Sequence, residues 1–245
     1  MANISASDLA AKLLDDCLNH RAWDPRDAAA LAALALSEDE RQARAASRAL
    51  FAGLAEPLAD LFEPRLAGEY ARLFSHVVEQ AIPGLEAASL TARYAEVSRV
   101  RSVTSEPKRV VVLSRVTLGA DAAITSLFLN AAKRRFPSAE IVLAGTSKTW
   151  ELFERDPRLT HFPVDYGRTA TLSSRLSPYQ PLARLCSDED TIVLDPDSRL
   201  SQLGLLPLCP APRHFLFESR AYGGDSFDSL PNLAVRWLSA TLGID

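Results

Sequence analysis

The stretch from 109 to 144, RVVVLSRVTLGADAAITSLFLNAAKRRFPSAEIVLA, constrains this chain more than any other. A β-branched run (Val110, Val111, Val112, Leu113) leads into a turn holding Gly119, then an amphipathic helical pattern, then a second apolar run (Ile141, Val142, Leu143, Ala144). Uncharged runs of this kind suit strands covered on both faces. A strand, a helix and a second strand in succession imply parallel pairing with a right-handed crossover. The stretch therefore reads as the opening βαβ unit of a doubly wound sheet with a tight glycine turn, and ligands of such sheets collect beyond the carboxyl ends of the strands. The turn itself brings together Arg115, Thr117, Gly119 and Asp121: a guanidinium, a hydroxyl and a carboxylate.

The remainder of the second half repeats the alternation. Strands are predicted at 161–164, 191–194 and 214–217, with helices near 149–154 and 172–186 and a last one ending at Leu242. Pro178 and Pro181 should shorten or split the second of these helices. Up to about Arg101 the pattern is helical. Leu9, Leu13, Leu14, Cys17 and Leu18 share one face with Ser7 as N-cap, and Asp24-Pro25 and the run Ser37-Glu38-Asp39-Glu40 each start a further helix. Leu66, Tyr70, Leu73, Phe74, Val77, Val78 and Ala81 form a stripe closed by Pro83-Gly84, and another helix is predicted over 85–100. The polar, proline-broken segment 101–108 is the best boundary. The expected architecture is an all-α helical module at 1–104 followed by an α/β domain with a Rossmann-like parallel sheet at 105–245.

Composition narrows the function. With 27 basic residues against 31 acidic ones and a net charge of -4, the chain lacks the basic excess of an electrostatic nucleic-acid binder. Cys17, Cys186 and Cys209 are far apart and form no CxxC pair, and the histidines are equally scattered, so no metal site is expected. The amino terminus has neither a basic region nor a continuous apolar one, and no uncharged apolar run approaches the ~18 residues of a membrane span. The cytoplasm is the expected location.

Two more polar clusters fall at predicted strand ends: Asp195, Asp197, Ser198, Arg199 and Gln202 after the fourth strand, and Ser219, Arg220, Tyr222, Gly223, Gly224 and Asp225 after the fifth. Only Gly119 stands where a dinucleotide turn would carry a run of glycines, and the phosphate-loop pattern is absent, so NAD, FAD and P-loop nucleotide binding are disfavoured.

The segment 109–145 resembles the opening of the lipopolysaccharide heptosyltransferases, glycosyltransferase family 9. That family begins with a strand, a turn of the type R-x-x-x-L-G-D, a Thr four residues past the Asp, and a helix ending basic-x-x-[FY]-P-x-A. Arg115, Leu118, Gly119, Asp121, Thr125, Arg134, Phe136, Pro137 and Ala139 correspond to those places, with two residues where the pattern has three between Arg115 and Leu118, and one where it has two between Arg134 and Phe136. Ala120 is inserted before the Asp, and Leu127 replaces a usual proline. The resemblance extends over 109–245 and is strongest up to about Leu159.

What the resemblance implies is the amino-terminal, acceptor-binding half of a GT-B enzyme. Its donor nucleotide sugar would bind a carboxyl-terminal domain, and a missing donor half is expected here. Transfer would be inverting and without a cofactor or metal, with Asp121 taking the proton from the acceptor hydroxyl. The acceptor, a glycan or lipid-linked saccharide, would be held by Arg115, Thr117, Gly119, Asp197, Arg199, Gln202 and Tyr222, and a lipid-linked one would place the enzyme peripherally at the inner membrane surface. Two bland alternatives stand beside this: Asp121 complementing a helix dipole, worth ~0.3–1 kcal/mol, and Arg115 acting as a surface residue or pairing with Asp121. The rival from another class is a non-catalytic binding or scaffold protein with a helical docking module and a GT-B-like shell.

Overall fold

The computed structural model describes residues 4–167, 169–224 and 228–244. In chain order, α1 (Ala6–Leu18), α2 (Pro25–Ala35), α3 (Glu40–Leu50), a π-helical turn (Phe51–Ala55), α4 (Glu56–Asp60), α5 (Pro64–Ala81) and α6 (Ala87–Val97) precede the first strand. Then come β1 (Arg109–Leu113), α7 (Leu118–Ala120), a second π-helical turn (Asp121–Thr125), α8 (Ser126–Arg135), β2 (Glu140–Gly145), α9 (Ser147–Trp150) and β3 (Leu159–Pro163). The chain continues through α10 (Leu172–Leu176), α11 (Tyr179–Leu185), β4 (Thr191–Asp195), β5 (His214–Leu216) and α12 (Leu230–Leu242).

Local chemistry explains most of these boundaries. The cap of α1 is Ser5 and not Ser7: the Ser5 hydroxyl accepts from the Asp8 backbone N–H while the Asp8 carboxylate accepts from Ser5, a reciprocal capping box. Asp24 caps α2 as its place before Pro25 predicts, while α3, expected to start with the run 37–40, is capped by Asp39 and begins at Glu40. Pro178 falls in the break that leaves α10 and α11 as separate short pieces, while Pro181 sits within the first turn of α11.

All five strands are parallel, in the order β3-β2-β1-β4-β5. This is a Rossmann-like sheet with its reversal of strand order between β1 and β4. Val110 and Val112, Ile141 and Leu143, and Ile192 and Leu194 point to one face, where they meet Phe128, Phe217 and Trp237. The rings of Phe128 and Trp237 stack at 5.4 Å and Phe217 lies 5.8 Å from Trp237, so α8 and α12 are anchored by aromatic contact. Val111, Val142 and Val193, on the opposite face, are also buried. That double burial is why the strands read as unbroken apolar runs.

The chain divides into two compact units, Met1–Ala92 with Gly167–Leu176, and Arg93–Tyr166 with Ser177–Asp245. The division departs from the one expected at 104/105, for a physical reason. Arg93 donates to the carbonyls of Gly204 and Cys209, Arg101 to those of Ala211 and His214, and Val103 N–H to Thr241 at 2.8 Å. These bonds tie residues 93–103 to β5, to the segment before it and to α12. Conversely, the Leu172 N–H donates to the Ser47 hydroxyl at 2.9 Å, fixing the start of α10 on α3. No helix of the described residues is long and apolar enough to cross a membrane.

Candidate ligand cavity at the carboxyl edge of the sheet

The loop after β1 is the strained part of this edge. Val116 adopts φ 59°, in the left-handed region that a β-branched side chain rarely enters. The expected tight glycine turn is therefore absent: Gly119 lies inside α7, its φ is not positive, and a Cβ built on it meets nothing within 4 Å. What bends the chain is the Ser114 hydroxyl, which accepts from the Val116 N–H at 2.8 Å.

Asp121 is not open at the rim of the sheet. Its side chain is fully buried and accepts four hydrogen bonds: from Ser114 Oγ at 2.9 Å, Arg115 N at 2.7 Å, Thr125 Oγ1 at 2.7 Å and Thr149 Oγ1 at 2.8 Å. The carboxylate thus joins the end of β1, the π-helical turn and α9 into one knot. The expectation of an exposed base fails because nearby hydroxyls satisfy the group better than solvent would. Close approach of β1 and β2 makes the knot possible, since a Cβ on Gly145 would sit 2.8 Å from that of Ser114.

Arg115 crosses the point where strand order reverses. Its guanidinium donates to the Pro196 carbonyl at 2.7 Å and to Ser219 Oγ at 3.3 Å, while Ser198 Oγ returns a bond to the Ser114 carbonyl. The crevice that usually receives a ligand is here stitched shut by polar contacts. Burial lowers the Arg115 pKa, with Asp197 opposing that effect.

The other residues expected to hold an acceptor are placed as follows. Asp197, in the left-handed region at φ 67° and only 3% exposed, binds Ser219 and forms a buried ion pair with Arg220. Gln202 is left-handed and buried, and Tyr222 leans edge-on against Phe217 at 5.6 Å. Asp197, Gln202 and Tyr222 accordingly face the protein interior or its core ring and not an open site, because the loops after β4 and β5 fold down onto each other. Arg199 begins a single helical turn and is half-buried, and Thr117 precedes α7 without capping it through its side chain. Asp225 lies outside the described residues. Asp195 caps its loop: it accepts from Ser198 N at 2.7 Å and Ser201 Oγ at 2.5 Å, and meets His214 Nε2 at 3.0 Å. Arg93 sits 2.8 Å from His214 Nδ1, and burial lowers the His214 pKa, so the imidazole is neutral with its proton on Nε2.

The open space lies on the other side of β1. A cavity of about 640 Å³ is bordered by Val116 and Leu118 from the strained loop, Thr146 and Lys148 after β2, and Asp165 and Tyr166 after β3. Sequence reading missed the β2 and β3 contributors because nothing local marks them. They meet only through the parallel register that sets Gly145 beside Pro163. Thr149, also at the margin, has its hydroxyl committed to Asp121, so the knot fixes one wall. A charged amine, a carboxylate and hydroxyls beside apolar Val116, Leu118 and Val164 make a surface able to bind a polyhydroxylated molecule with an anionic group.

Glu218, just past β5, is a buried carboxyl of the sheet unit. Burial is the main cause of its pKa rising to about 7; Arg220 lowers it, nearby Asp197 raises it, and the Tyr94 hydroxyl bonded to it lowers it. Its Oε1 has no hydrogen-bond partner among the described residues. The folded state keeps the Glu218 proton where the unfolded chain, ionising near the ordinary 4.5, has lost it. Stability from this group is therefore full below pH ~4.5, falls as pH rises towards ~7, and is flat above, a loss on the order of 3 kcal/mol. Glu218→Gln should remove that slope in urea unfolding measured across the window and leave the variant more stable than wild type above neutrality.

Among the described residues no group of three or more His, Cys, Asp or Glu could hold a metal ion. The cysteines are buried, and burial pushes the thiol of Cys17 up to about 11, that of Cys186 to about 12 and that of Cys209 to about 11, so none is a ready nucleophile. No family model, curated protein or solved structure matches the chain.

Proposed function

We propose that the sheet unit is the acceptor-binding half of a glycosyltransferase resembling family 9, of the GT-B amino-terminal type, and that its saccharide lies in the cavity beside β1, β2 and β3. The observation that carries this reading is the position of that cavity. It opens at the carboxyl edge, under the loop that carries Arg115, Leu118 and Gly119, and combines Lys148 and Asp165 with apolar surface. In the family pattern the nucleotide sugar belongs to a second lobe, and the helices before β1 act as an all-α module. The acceptor class is a glycan or lipid-linked saccharide carrying phosphate or carboxylate, and a lipid-linked one brings the cytoplasmic enzyme to the inner membrane surface.

The chemistry is direct displacement at the anomeric carbon. The acceptor hydroxyl oxygen forms the new glycosidic bond, the nucleoside diphosphate leaves with the electron pair of the broken one, and a carboxylate takes the hydroxyl proton. Asp165 is the carboxylate bordering the cavity; Asp121 is a positioning residue that holds the β1 loop. Lys148 pairs with the anionic group of the acceptor. Isothermal titration with a phosphorylated inner-core oligosaccharide tests the assignment. Binding should weaken about tenfold in Lys148→Ala, one charge-assisted contact, and survive in Asp165→Asn. Absence of saccharide binding, or equal binding by Lys148→Ala, overturns it.

A second reading, a non-catalytic binding or scaffold protein, is favoured by one observation: the carboxylate that matches the family's base is fully buried. Transfer by the chain joined to a donor lobe, lost in Asp165→Asn with saccharide affinity kept, separates catalysis from mere binding.

A further inference from the structure

The helical unit holds a separate cavity of about 590 Å³, bordered by α3, the π-helical turn, α4 and the segment leading into α10. Among the described residues Arg44, Arg48 and Arg175 border it with their guanidinium groups and Glu56 with its carboxylate. Arg44 and Arg48 stand four residues apart on α3 and so share a face. Arg175 is only 4% exposed, and its guanidinium carbon lies 3.7 Å from the centre of the Phe51 ring, so the cation sits over an aromatic face.

The surrounding backbone is shaped to suit. Phe51 opens the π-helical turn Phe51–Ala55, a widening of the helix that recurs at functional positions. The bond from Leu172 N–H to Ser47 Oγ pins the chain that carries Arg175 onto α3. Arg44 is oriented by Glu40 at 2.6 Å. A deeply buried arginine with two further arginines at the mouth is an electrostatic funnel for a doubly charged oxyanion.

We propose that this cavity binds the phosphoryl group of a small phosphorylated molecule. Arg175 would make the paired N–H contacts, with Arg48 and Arg44 supplying charge at the rim. The cavity exceeds the size of inorganic phosphate, leaving room for a diphosphate or a sugar-phosphate body. The site is independent of the saccharide reading for the sheet unit: either can fail while the other holds.

The test uses the full chain and inorganic pyrophosphate, titrated calorimetrically at constant ionic strength, with glucose 6-phosphate as the organic arm and sulfate as the plain-anion arm. Saturable pyrophosphate binding tighter than about 1 mM is expected. Arg48→Ala, an exposed change that leaves the core intact, should weaken it about tenfold, and Arg175→Lys, which keeps the charge and loses the fork, by at least as much. Tighter binding of the sugar phosphate than of sulfate would identify an organic phosphate as occupant. Loss of saturation in wild type, or unchanged affinity in Arg48→Ala, overturns the proposal, even if Arg175→Lys fails to fold.

Discussion

Asp121→Ala should destabilise the sheet unit by about 3–5 kcal/mol, read as a fall in the urea midpoint at unchanged slope. The substitution deletes one carboxylate and strands four donors, the hydroxyls of Ser114, Thr125 and Thr149 and the Arg115 N–H. Each buried donor left without an acceptor costs about 1–3 kcal/mol, partly recovered where a hydroxyl rotates towards another oxygen. Ser114 has such an escape towards Thr149 Oγ1 at 3.2 Å; the Arg115 N–H has none in the observed bonding. Asp121→Asn is the sharper probe. It keeps the volume but turns one acceptor oxygen into an NH₂ facing hydroxyls or an N–H, so it should lose about 2–3 kcal/mol. An exposed catalytic carboxylate would behave differently: both variants would unfold like wild type and fail only in turnover. Unchanged midpoints would show the side chain to be solvated, and the knot with it to be wrong.

This reversal for Asp121 shows what the sequence could and could not disclose. The strands were legible because a doubly covered parallel strand must be apolar along its whole length, as Val110 to Leu113 and Ile192 to Leu194 are. The α10–α11 split was legible because proline acts on its own backbone. The direction of the Asp121 side chain was not, since one of its partners, Thr149, is 28 residues away and arrives only when β2 pairs with β1. The first-turn position of an acidic residue is equally good for a dipole, a base or a buried strut. The cavity was hidden for a similar reason: Lys148 and Asp165 follow different strands, and neither segment carries a recognisable pattern. Glu218 was hidden more deeply, because a carboxylate after a strand looks exposed until Tyr94 and Arg220 are found against it. Asp197 and Gln202 stand at the carboxyl edge as their places after β4 imply, but both are buried, which no local pattern announces.

Asp197 supplies the second large effect. Its carboxylate accepts from Ser219 and from the Arg220 guanidinium, and Arg220 is only 5% exposed. Asp197→Ala leaves that cation buried with less compensation, and breaking one side of a buried pair typically costs about 3–5 kcal/mol. Backbone adds a little, because φ is 67° at this position and alanine tolerates the left-handed region less well than aspartate. Asp197→Asn keeps the backbone preference and a neutral acceptor for Ser219, so its loss should be clearly smaller. The double variant Asp197→Asn with Arg220→Met removes both charges and should recover stability relative to Asp197→Asn alone, with a coupling of about 1–3 kcal/mol in the double-mutant cycle. The same pair faces Glu218, and Arg220 is the charge that eases its ionisation. Removing Arg220 should therefore push the Glu218 pKa further up and carry the pH-dependent loss of stability beyond neutrality. A cycle with no coupling, or an Arg220→Met chain whose pH profile matches wild type, would mean that Arg220 and Glu218 answer to solvent and not to each other. The loops after β4 and β5 would then be free to open onto a ligand, as the resemblance first suggested.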